Sequence, residues 1–136
     1  MREPVSVIKP MVITSPFGER TLNGVKQYHR GVDLRNYDRP IYACEESIVL
    51  RMGTGKIGEG YIVLRSDNYI YKYIHVKPAL ALEIGDPLEE GTSFGVTNLS
   101  GTDSLHLHFE IWDLSEKNAL DPSRIFTANK LSWRMK

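Results

Sequence analysis

Residues 105–110 read Leu-His-Leu-His-Phe-Glu. Apolar and polar side chains alternate there with a period of two, and a β-strand turns that period into two faces. Leu105, Leu107 and Phe109 point into a core. His106 and His108 stand on the opposite face, with Cα atoms about 6.5 Å apart. A strand of this kind needs a sheet to bury one face and leaves the other open for two adjacent imidazoles.

The remaining apolar runs are also short and are separated by glycine, proline and polar turns. Residues 11–14 form a strand ended by Ser15-Pro16-Phe17-Gly18, and residues 31–34, 41–43 and 47–52 read as further strands. Residues 61–65 and 69–76 make a hairpin about Ser66-Asp67-Asn68. Gly85-Asp86-Pro87 and Glu89-Glu90-Gly91 bracket a short segment, and residues 94–97 and 105–113 are the last strands. Residues 21–30 are polar and read as a loop. Residues 53–60 hold four glycines and read as a flexible connection. They lack the Gly-Lys-Ser/Thr ending of a phosphate loop. Asp121 as N-cap and Pro122 at the first helical position start a short C-terminal helix. The pattern predicts a small all-β domain of antiparallel strands with little helix.

With 136 residues, 41% apolar and 25% charged, the chain is an ordinary globular sequence, and one domain spanning residues 1–136 is expected. Seventeen basic residues balance seventeen acidic ones, so net charge offers no case for nucleic acid. The single cysteine, Cys44, excludes an internal disulfide and a structural zinc site built from cysteines. It reads as a small buried side chain. No run of 18 apolar residues predicts a transmembrane helix, and residues 1–5 lack the apolar core of a signal peptide.

Four histidines occur, at positions 29, 75, 106 and 108. His29 precedes Asp33 by four residues. Gly31 and β-branched Val32 disfavour a helix, and an extended strand would separate the pair by about 13 Å. A turn at Arg30-Gly31 must draw them together. Taken singly, each motif has a bland reading: two solvated histidines on a strand face, and a loop histidine beside a capping aspartate. Together they supply two histidines and a carboxylate, a known open zinc set with a fourth position free. Two further histidines remain for acid–base work on water and substrate.

These residues resemble the LytM/lysostaphin-type zinc metallopeptidases, which cleave peptide cross-links of bacterial cell walls. The resemblance runs through Ser15-Pro16-Phe17-Gly18-Glu19-Arg20, His29-Arg30-Gly31-Val32-Asp33, Pro40-Ile41-Tyr42-Ala43, Tyr73-Ile74-His75-Val76 and Leu105-His106-Leu107-His108-Phe109-Glu110. Asp121-Pro122 resembles a common C-terminal ending. The resemblance implies that His29, Asp33 and His108 bind one Zn2+ per chain and that His75 and His106 are the catalytic pair. Choosing His108 over His106 for the metal comes from the family, not from spacing. The implied fold is of the duplicated hybrid motif type, a small antiparallel sheet with a groove above it walled by loops. The implied function is hydrolysis of cross-link or stem peptides of peptidoglycan, in the cell envelope, outside the cell, or with a phage.

One departure lies in residues 95–104, where Asn98 stands in place of a glycine common in the family. Asparagine tolerates the left-handed conformation, so the turn is expected to persist. Two alternative readings remain. One is a catalytically silent regulator or binding module of the same fold, although such relatives usually lose ligands that are intact here. The other is a zinc peptidase for other glycine-rich peptides, with Tyr61, Tyr69, Tyr71 and Tyr73 either lining a groove or packing as core.

Overall fold

The computed structural model describes residues 1–5, 11–36, 39–128 and 133–135. In chain order the elements are β1 (Met11–Ser15), β2 (Gly18–Leu22), β3 (Val25–His29), β4 (Val32–Arg35) and β5 (Pro40–Tyr42). Next come β6 (Ser47–Thr54), β7 (Gly60–Arg65), β8 (Ile70–Ile74), β9 (Val76–Pro78) and β10 (Pro87–Leu88). The last are β11 (Ser93–Thr97), β12 (His106–Trp112), β13 (Ala119–Leu120), α1 (Pro122–Ala128) and β14 (Trp133–Met135). The main sheet runs β10-β6-β7-β8-β12-β4-β1-β14, with β13 against β12. A three-stranded sheet, β5-β11-β9, and a hairpin of β2 and β3 complete the fold.

The alternation holds within β12, but Leu105 lies before the strand and is exposed, not in the core. Leu107, Phe109 and Ile111 are fully buried. Register carries that face across the sheet: Phe109 sits opposite Tyr73 on β8 and Val32 on β4, and Leu107 opposite Leu34. Phe109 is the hub, with ring centroids 5.2 Å from Tyr73, 6.0 Å from Tyr71 and 6.0 Å from Phe126 of α1. Phe94 of the small sheet meets Tyr73 edge-on at 4.8 Å, so the core lies between the two sheets. Tyr71 and Tyr73 are therefore core residues, not groove lining. Their hydroxyls donate to Glu45 Oε2 at 2.6 Å and to the Tyr42 carbonyl at 2.7 Å, as buried phenols require. Cys44 is also fully buried. Tyr61 and Tyr69 are only half-buried.

Several expectations need correction. Residues 21–30 are not a loop: β2 and β3 pair from Gly18↔His29 to Leu22↔Val25 around Asn23-Gly24. Both turn residues have positive φ, 51° and 78°, the geometry that an Asn-Gly pair favours between paired strands. The glycine-rich stretch is a hydrogen-bonded turn rather than a free connection. Thr54 pairs with Gly60, and the Gly55 N–H donates to the Glu59 carbonyl at 2.8 Å. The 69–76 strand breaks at His75, which has φ 67° and separates β8 from β9. Among the described residues, the antiparallel rule has one exception, the parallel pairing of β1 with β14. The helix starts as read: Asp121 Oδ1 accepts the Ser123 N–H at 3.0 Å. Among the described residues, no helix is long and apolar enough to cross a membrane.

Candidate metal centre

The outer face of the main sheet collects the polar residues of the alternating strands. His108 lies opposite Asp33 on β4 and Ile74 on β8, and Glu110 opposite Lys72. Asp33 in turn faces Ser15 on β1. His29 ends β3 and is carried onto this face by a bend at Arg30-Gly31. The value of Gly31 is its missing Cβ, since its φ is not positive. A Cβ there would strike the Phe109 carbonyl oxygen and come within 2.7 Å of Glu110 Cγ. The bend can thus press directly onto β12.

The ligand atoms of His29, Asp33 and His108 cluster as one group. His29 Nε2 is 3.2 Å from His108 Nδ1 and 3.5 Å from Asp33 Oδ1, and His108 Nδ1 is 3.0 Å from the same oxygen. Zinc–ligand bonds of 2.0–2.2 Å at tetrahedral angles would place ligand atoms about 3.3–3.6 Å apart. The triangle fits one face of such a tetrahedron within a few tenths of an ångström and leaves the fourth position for a further ligand.

The other ring nitrogens are committed elsewhere. His29 Nδ1 donates to the Pro16 carbonyl at 2.8 Å, which leaves Nε2 free for a metal. His108 Nε2 donates to Glu110 Oε2 at 2.7 Å, which leaves Nδ1 free. Trp112 Nε1 donates to the second Glu110 oxygen at 2.7 Å. Such outer partners set ring orientation and tautomer. Arg20 Nη1 donates to Ser15 Oγ at 2.6 Å and lies 3.8 Å from the outer Asp33 oxygen. Neither Glu110 nor Arg20 was singled out from sequence. Glu110 was legible, because the same period of two that pairs His106 with His108 reaches it.

Charge follows this geometry. Burial raises the Asp33 carboxyl, but hydrogen bonds from His108 and His29 outweigh it and hold the group well below the usual carboxylate range. Burial depresses His108, yet its bonds to Asp33 and Glu110 hold it up to about 9. Glu110 is lowered: burial opposes this, and the His108 bond prevails. His75 is lowered, chiefly by burial, against the opposing hydrogen bond to Ser100.

His75 and His106 stand beside the triangle, with ring centroids 5.0 Å apart. His75 Nδ1 donates to the Ser100 carbonyl at 2.6 Å, and His106 Nδ1 to that of Ser104 at 3.0 Å. Both therefore turn Nε2 away from the loop, and His106 Nε2 comes within 3.8 Å of Asp33 Oδ1. The structure thus brings all five sequence-derived residues together. Shallow cavities flank them on the sheet face. One, of about 360 Å³, holds Thr14, Ser15, Arg35 and His106, and another, of about 350 Å³, holds Tyr61, Lys72 and Ile74. A larger cavity near Arg65 and Pro87 contains no histidine.

An all-β fold with a histidine–carboxylate triangle and two further imidazoles beside it suits a metallopeptidase. Residues 27–122 match Peptidase family M23, and the chain belongs to that family. It is 26% identical over 126 residues to an uncharacterized metalloprotease of Buchnera aphidicola subsp. Baizongia pistaciae (strain Bp), covering 88% of this chain and 33% of that protein. The chain thus spans about a third of that relative's length. Its fold is similar to that of LytU, with a TM-score of 0.76, 22% identity and coverage of 90% and 89% of the two chains. It is also similar to the catalytic domain of lysostaphin, an antimicrobial peptidase from Staphylococcus simulans. There the TM-score is 0.66, the identity 24% and the coverage 85% and 89%.

Proposed function

We propose that this protein is a zinc-dependent endopeptidase that hydrolyses cross-link or stem peptides of bacterial peptidoglycan, and so works in the cell envelope or outside the cell. The observation that carries the reading is the triangle of His29 Nε2, Asp33 Oδ1 and His108 Nδ1, with the rings of His75 and His106 beside it. Two nitrogens and one carboxylate oxygen favour zinc over magnesium or calcium. Bound there, zinc supplies Lewis acidity and lowers the pKa of water to about 7.

The chain's own groups do the rest. With Nδ1–H held by backbone carbonyls, His75 and His106 offer Nε2 to water and substrate. The depressed pKa of His75 keeps it neutral at pH 7, so its Nε2 can take a proton from the attacking water. The same nitrogen, once protonated, can return that proton to the leaving amine. His106, with its Nδ1–H on the Ser104 carbonyl, can donate to the developing oxyanion only as the imidazolium, through a second proton on Nε2. The cavity lined by Asp33, Arg35 and His106 gives a peptide room beside the triangle. The likeness in fold to lysostaphin, an antimicrobial peptidase, and the motifs shared with the LytM/lysostaphin type support this reading.

The test is digestion of purified peptidoglycan, with mass analysis of the released peptides. Expected is cleavage that a zinc chelator stops and added zinc restores, with each cut giving one new amine and one new carboxylate. Cleavage of glycine-rich peptides without release from peptidoglycan would overturn the substrate. Failure on every peptide by zinc-loaded protein would overturn the enzyme.

A further inference from the structure

We propose that Asn98 is a positioning residue for His75, acting through Ser100, whose N–H and hydroxyl it holds. The proposal rests on the catalytic reading of His75 given above.

His75 occupies a left-handed backbone position, φ 67°, which disfavours a side chain bearing a Cβ. Its surroundings must therefore hold it. Its N–H donates to the Gly60 carbonyl at 2.8 Å, and its own carbonyl accepts the Asn98 N–H at 2.9 Å. Its ring Nδ1 donates to the Ser100 carbonyl at 2.6 Å. Two of these three contacts come from the turn at residues 98–100.

That turn is closed by a side chain. Asn98 Oδ1 accepts both the Ser100 N–H, at 3.0 Å, and the Ser100 hydroxyl, at 2.6 Å. The Ser100 oxygen accepts in turn from the Gly60 N–H at 2.9 Å, which ties the turn to the start of β7. A closed ring of hydrogen bonds thus links Gly60, His75, Asn98 and Ser100. The Asn98 oxygen thus holds the N–H and the hydroxyl of the residue whose carbonyl accepts from His75 Nδ1. Asn98 itself does not have positive φ, so it is not a stand-in for the conformational freedom of a glycine. Its contribution here is an acceptor that glycine lacks.

The acceptor is what matters, so Asn98→Asp should keep the function, and Asn98→Ala and Asn98→Gly should lose it. The readout is the tautomer of His75, taken from the 15N shifts of its ring in zinc-loaded protein at pH 8, where the ring is neutral. The parent and Asn98→Asp should show a single Nδ1–H form. Asn98→Ala and Asn98→Gly should show mixed tautomers. On a soluble cross-link peptide, kcat should fall about 10–100-fold in Asn98→Ala, the scale of a misplaced reacting group, with KM within about twofold. An unchanged tautomer in Asn98→Ala overturns the proposal, as does an equal loss in Asn98→Asp. The ring shifts are readable without any substrate, so failure of the peptidase reading leaves this test intact.

Discussion

His108 and Glu110 share a hydrogen bond of 2.7 Å, in which the ring Nε2–H donates to Oε2 of the carboxylate. The other Glu110 oxygen takes the indole N–H of Trp112 at the same distance, so one buried carboxylate satisfies two ring donors. Glutamine offers one acceptor and one N–H₂, and cannot serve both. Glu110→Gln should weaken zinc binding by about 10–100-fold, the usual effect of losing an outer partner. Chelator competition would measure it. Unchanged affinity would leave Glu110 as a core-packing residue only.

Metal and acid–base roles should separate by substitution. His29→Ala and His108→Ala should lose bound zinc by elemental analysis. His75→Ala and His106→Ala should retain about one zinc per chain, with turnover down about 10²–10⁴-fold. Zinc loss in His106→Ala with retention in His108→Ala would reverse the assignment.

Proton competition sets the pH dependence of metal binding. In metal-free protein, the bonds to Asp33 and Glu110 outweigh burial and hold His108 up to about 9. Zinc must displace its Nδ1 proton. Apparent affinity should therefore rise at least about tenfold per pH unit up to pH 9. The raised pKa also works on folding. Its stabilisation of metal-free protein is complete below the unfolded value near 6.5 and is lost as pH rises through 9. The Tm of metal-free protein should fall over that window, while zinc-loaded protein becomes more stable. Parallel trends in both forms would contradict the coupling.

The acid limb of the rate profile belongs to His75 in the proposed mechanism. Burial lowers that imidazole below 6.5, against the pull of the Ser100 carbonyl. With zinc held constant, kcat should reach half its maximum below pH 6.5 and fall again in alkaline buffer as a protonated histidine is lost. A half-maximum above pH 7.5 would assign the limb to another group.

Gly31 should tolerate no side chain. A Cβ would meet the Phe109 carbonyl, a rigid backbone atom in a central strand, as well as Glu110 Cγ. Gly31→Ala should destabilise the fold by about 3 kcal/mol or more and weaken zinc binding, because the bend carries both His29 and Asp33. Denaturant unfolding of metal-free protein would read the first effect, and chelator competition the second. Parent-like values would mean that the bend relaxes freely.

The alternation through residues 105–110 determined on its own that a strand would bury Leu107 and Phe109 and set both histidines on the other face, because a strand offers only two faces; it misplaced Leu105, which lies before the strand and is exposed. It also determined the helix start at Asp121 and Pro122, since capping is local chemistry. The β2–β3 hairpin escaped notice because its residues up to Tyr28 are largely exposed and show no apolar period. Its sign was the Asn23-Gly24 pair. Other features needed the tertiary structure. His29 and Asp33 meet only because Gly31 lets the chain press against β12. The choice of ring nitrogen was set by distant partners: the Pro16 carbonyl for His29, Glu110 for His108 and Ser100 for His75. Spacing along a chain tells which residues share a face. The direction in which a ring nitrogen points depends on hydrogen bonds closed between strands and loops remote in sequence.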